Sequence, residues 1–166
     1  LRLPGALEAS VAFGDILKMT ETADVDRLKS LLLVDTGPDK VMLILTPACD
    51  LQRGGAPRIL LLVGTLKSLG VHDWSYKGDA RTPVISIGKK LSWIQWNLKH
   101  IDTVSHDQLG QVFENGDLAV VARLREAHAL ELQQRVLSGL GRVGMVAKLP
   151  ATFPVFVEVH YSNVSG

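Results

Sequence analysis

Lys40–Leu66 reads KVMLILTPACDLQRGGAPRILLLVGTL and decides the fold. Val41–Thr46 is aliphatic and β-branched with turn signals on both sides, the pattern of a strand buried on both faces. Pro47 stops it, because proline has no N–H to give to a ladder. Ile59–Thr65 repeats the pattern and is expected to pair with it antiparallel. Twelve residues, 47–58, lie between the two runs, too many for a tight hairpin. A loop of this length inside a compact domain is often functional. It holds the single cysteine, Cys49, followed by Asp50, with Arg53 and Arg58 close behind.

Working outward, the flanking segments supply more short strands. Ser10–Thr20 reads as a strand interrupted at Gly14-Asp15, and Thr36–Asp39 (TGPD) as a turn. Asp24–Asp35 carries a short helix or a helix running into a strand. Leu66–Pro83 is polar and turn-rich and holds His72, Trp74 and Tyr76. Val84–Ile87 is a short strand. Leu91–Lys99 alternates, with Leu91, Trp93, Gln95 and Asn97 on one side and Ile94, Trp96 and Leu98 on the other. Ser105 is placed to cap a short helix through Phe113. Asn115-Gly116 is a turn, and Leu118–Leu124 follows as a strand or a helix start.

One helix stands out. In Arg125–Leu140, Ala129, Leu132, Val136 and Leu140 recur at steps of three and four, and Glu131 precedes Arg135 by four. Gly139 and Gly141 are expected to stop it. Phe153–Tyr161 (FPVFVEVHY) alternates as a closing strand. The whole predicts one α+β domain over residues 1–166: a small antiparallel β-barrel or strongly bent sheet, with one main helix near the C-terminus.

Composition narrows the function classes. The chain has 166 residues, 46% apolar and 21% charged, enough for a sizeable core. Its formal net charge of +1 implies no global attraction to nucleic acid. One cysteine excludes a disulfide framework and a Cys-rich zinc site and suits a reducing, cytoplasmic compartment. No apolar run is long enough to span a bilayer, so no membrane partner is expected. A chain opening on Leu rather than Met reads as part of a larger polypeptide. Walker, GxGxxG, GxSxG and HExxH motifs are absent, and no cofactor or metal is implied.

Several residues can still carry function. Cys49 is a candidate nucleophile if a histidine activates it, with Arg53 and Arg58 near enough in sequence to favour its thiolate. The competing reading is a core cysteine with Asp50 capping the turn. His72, beside Asp73, is a candidate acid–base or metal residue, although neighbours on an extended chain point apart. Trp93 and Trp96 fall on opposite faces, so one is expected in the core and the other as a binding platform, with Tyr76 in the same aromatic set and Trp74, beside His72-Asp73, a further binding candidate. Lys89, Lys90 and Lys99 flank that strand and make a small basic face possible, which would suit nucleic acid. Arg135 and Arg142, seven apart, share a helix face that can hold a carboxylate or phosphate.

Three patches together resemble a poorly characterised bacterial domain of receiver-like proteins linked to histidine-kinase-like ATPases and to anti-phage or signalling gene clusters. They are GDIL at Gly14–Leu17, LILTPACDL at Leu43–Leu51, and ARLREAHALELQQRVLSGLGRVG at Ala122–Gly144. The resemblance implies a regulatory role rather than a phosphoacceptor one, since the doubly wound pattern with clustered acids at strand ends is missing. The GDI-then-strand arrangement is also similar to SH3-like barrels, including toxin ribonucleases of the MazF and PemK type, without their basic catalytic arrangement. The expected function is a non-catalytic binding or regulatory module. Its partner is another protein or domain of the same polypeptide, met through the Trp-bearing strand or the Cys49–Arg58 loop. The alternatives are a cysteine-dependent hydrolase or nuclease-like effector using Cys49, and a nucleic-acid-binding module.

Overall fold

The computed structural model describes residues 11–32, 36–53, 57–70, 81–82, 84–87 and 89–146. The central pair forms as its composition requires. β2 (Lys40–Ile44) and β3 (Ile59–Ser68) run antiparallel, with Met42 opposite Val63 and Leu43 opposite Leu62. β1 (Asp15–Met19) pairs with β2 on the other side, starting at Asp15 rather than Ser10. β4 (Ile85–Ile87) pairs with β5 (Lys90–Val104), and β6 (Leu118–Arg123) pairs with β1. The result is a six-stranded antiparallel sheet in the order β4-β5-β3-β2-β1-β6. The sheet is open, which corrects the barrel expectation: β4 and β6 sit at opposite edges and do not pair with each other.

Helices lie on both faces. α1 (Val25–Leu31), α2 (Ala48–Arg53) and α3 (His106–Glu114) bury Leu28, Leu51, Leu109 and Val112 against Leu17, Met42, Ile44, Leu61 and Val63. α4 (Glu126–Val146) buries Ala129, Leu132 and Val136 against Ile16, Leu43, Leu62, Ile94 and Trp96 on the opposite face. Alternation along β2 and β3 explains this: odd and even residues are both apolar, because both faces are covered. The main helix thus covers one face, and it runs to Val146 instead of stopping at Gly139 and Gly141. Gly139 has open space around it, so no packing contact ends the helix there. The long loop after β2 is partly helical, because α2 occupies half of it and Leu51 anchors it in the core. The expected strand Phe153–Tyr161 lies outside the described residues.

Local signals hold where they were complete. Ser105 accepts from the Gln108 backbone N–H, and Gln108 accepts back from that of Ser105, a full capping box. Asp24 caps α1 by accepting from the N–H groups of Asp26 and Arg27. Gly14 and Gly116 adopt φ of +86° and +72°, and each is followed by a fully buried aspartate, Asp15 at the start of β1 and Asp117 just before β6. Asp15 pairs with Arg123 at 2.5 Å, and Asp117 receives two hydrogen bonds from Arg27, at 2.6 and 2.7 Å.

Candidate functional site

One end of the sheet holds Cys49, Asp50 and Arg58 of the sequence-derived candidates that the structure describes. There β2 ends, β3 begins and α4 crosses. Thr46 is buried and its hydroxyl accepts from the Leu60 N–H at 2.8 Å, closing the entry to the 47–58 segment. The Leu45 N–H donates to the Leu60 carbonyl, and the Leu45 carbonyl accepts from the Gln133 side-chain amide at 2.9 Å. These two bonds tie β3, β2 and α4 together at one point.

The elements that meet there carry three exposed leucines. Leu60 is 37% exposed, Leu130 43% and Leu137 54%. Leu130 and Leu137 lie three residues before and four after Gln133, so they flank it on the same side of α4. Sequence periodicity put Ala129, Leu132 and Val136 on the buried stripe, and the structure agrees. It left Leu130 and Leu137 unremarked. Their seven-residue spacing is the signal that would have found them as a second, outward stripe.

The described residues 47–53 and 57–58 adjoin Thr46 and Ile59 in the chain. Cys49 is exposed on the first turn of α2, and its thiol donates to the Asp50 carboxylate at 3.7 Å. No described histidine is hydrogen-bonded to it, so the described residues contain no cysteine–histidine pair. Exposure also sets aside the core-cysteine reading. Arg58 donates from Nε to the Thr103 hydroxyl at 2.8 Å and from its terminal nitrogen to the Thr103 carbonyl at 2.6 Å. It therefore staples the start of β3 to the end of β5 while remaining exposed.

The other candidates are dispersed. Trp93 and Trp96 do occupy opposite faces, but both are covered, at 8% and 4% exposure, which corrects the platform expectation. Trp96 lies over Gly64 beneath α4, and Trp93 lies under the Arg81 guanidinium, whose carbon is 4.6 Å from the ring centroid. Arg135 contacts Glu131 at 3.9 Å, the expected four-residue pair. Arg53 and Arg142 belong to α2 and α4, of which the backbone is described at those positions. His72 and Trp74 lie outside the described residues. Among the described residues no group of three or more His, Cys, Asp or Glu could hold a metal ion, and no helix is long and apolar enough to cross a membrane.

Sequence reasoning missed the two buried carboxylates, Asp15 and Asp117. A Gly-Asp pair opening an apolar strand, present at both places, was the available signal. Their roles are structural: each is saturated by an arginine and a backbone N–H, from Ala12 and Asp24 respectively. Comparison with protein-family models, curated proteins and solved structures returned no match.

Proposed function

We propose that this chain is a non-catalytic binding or regulatory module of a bacterial signalling or anti-phage defence protein, the setting implied by the resemblance of its three patches. It meets another protein, or another domain of the same polypeptide, through the sheet end beside the Cys49–Arg58 segment. One observation carries the reading: Leu60, Leu130 and Leu137 stand exposed around the Leu45–Gln133 hydrogen bond. Leucines on a rigid strand and helix can meet a partner at little cost in ordering. Arg58 and Asp50 at the border supply a polar rim of the kind that surrounds such cores.

The test compares the native chain with Leu130→Asp/Leu137→Asp. Both positions are exposed, so denaturation midpoints should agree within about 0.5 kcal/mol. Proteins captured from a bacterial extract by the native chain are identified, purified and titrated against both forms. Loss of about tenfold or more in affinity is expected if these leucines sit at the interface centre. Equal affinity for the two forms would dismiss this surface. Deleting 47–57 is a poorer test, because it removes Leu51 from the core.

A further inference from the structure

We propose that the sheet face on which Lys40, Lys67, Arg81 and Trp93 stand binds single-stranded nucleic acid. Phosphates would sit on the two lysines, and a base would stack on the Arg81 guanidinium that covers Trp93. Strand register places these residues. Lys40 is opposite Thr65, Thr65 is opposite Gln95, and Gln95 is opposite Arg81, so the four form one cross-strand row on one face. Lys67 is opposite Trp93, two residues further along the same strands, hence on that face too. The row spans three inter-strand spacings, about 14 Å.

This is the face that α1, α2 and α3 cover further along the strands, up to Val63 of β3. Beyond Val63 the character changes. Lys67, Ser86 and Gln95 are exposed, and Leu91 is 59% exposed. Lys40 donates to the Thr65 hydroxyl at 3.1 Å. Neither it nor Lys67 forms an ion pair among the described residues, and Asp39, next to Lys40 in the chain, pairs with neither. The two ammonium groups are therefore available to an anion.

Stacking comes from a second observation. The Arg81 guanidinium lies 4.6 Å from the centroid of the Trp93 ring, a cation–π pair that presents a plane of its own. Nucleic-acid bases stack on arginine planes as they do on aromatic rings, without regard to sequence. The Trp93 indole N–H is buried without a hydrogen-bond partner among the described residues. Cations in a row beside a planar stack fit a strand of phosphates and bases. A lipid headgroup would use the lysines but not the stack. With a net charge of only +1, attraction must come from this face.

The experiment is fluorescence anisotropy of a labelled oligothymidylate, and of its duplex with oligoadenylate, between about 50 and 200 mM salt. The single strand should bind more tightly, with a log–log salt slope of about −1.4, as the two lysines release counterions. Lys67→Glu should weaken binding and reduce the slope by about one. Lys29→Glu makes the same charge change on exposed α1 and should leave binding within about twofold, for want of a phosphate contact. Arg81→Ala should weaken the single strand more than the duplex. Absence of binding at the lowest salt overturns the proposal. So does equal weakening by Lys67→Glu and Lys29→Glu, which would mean unspecific charge attraction.

Discussion

Trp96 lies directly across Gly64 on the neighbouring strand. A β-carbon built on Gly64 would sit 2.6 Å from Cε3 of the indole and 2.6 Å from Cγ2 of Ile94. Here the register between β3 and β5 also slips: between Leu62 and Gly64 the partner jumps from Ile101 to Trp96. The glycine admits the large ring beneath α4 where the ladder is interrupted.

Gly64→Ala should therefore destabilise the protein by about 1–3 kcal/mol through overpacking. The denaturant midpoint should fall with little change in slope. Adding Trp96→Leu should recover part of the loss, because the smaller side chain vacates the space. A neutral Gly64→Ala would show that the indole can shift freely.

Acid should weaken the attachment of α1. The bidentate hydrogen bonds from the Arg27 guanidinium hold the Asp117 carboxyl below the ordinary carboxylate range; burial opposes this, and the Asp24 backbone N–H reinforces it. The folded state thus binds the Asp117 proton less readily than the unfolded chain does. The stabilisation is complete above the unfolded value of about 3.9 and is lost as pH falls below it, through the lower folded value. Denaturation midpoints of the native chain and Arg27→Gln, measured from neutral pH downward, should converge in acid. A gap that stays constant to the lowest pH would assign the pair no electrostatic role.

Cys49 should react with an alkylating reagent in the folded protein, without denaturant, since its side chain is exposed on α2. Mass spectrometry under native conditions would follow the modification. Protection until unfolding would contradict the exposed placement. Modified protein that still binds the partner would separate the thiol from the neighbouring leucine patch.

Much of the architecture was legible in the chain. The two apolar runs around Pro47 are β2 and β3, paired antiparallel as expected. The steps of Ala129, Leu132 and Val136 mark α4, and Ser105 with Gln108 marks the start of α3. Each signal involves residues within one or two turns of one another, where spacing alone fixes who shares a face. The candidate site was legible only in part. Cys49 and Arg58 were noticed for their chemistry, whereas Leu130 and Leu137, off the buried stripe, drew no notice.

What the chain could not display depends on partners far along it. Both tryptophans are enclosed because β5 lies beside β3, bringing Gly64 under Trp96, and because Arg81 bridges to Gln95 and covers Trp93. Asp15 meets Arg123, and Asp117 meets Arg27, across about a hundred residues that the strand order folds away. The sheet stays open because its edges fall to β4 and β6, a matter of strand order that short strands do not announce. Periodicity is a property of neighbours in sequence and determined which segments form elements. Register and strand order, set by packing the whole core at once, decided which side chains are buried, which are paired and which face outward.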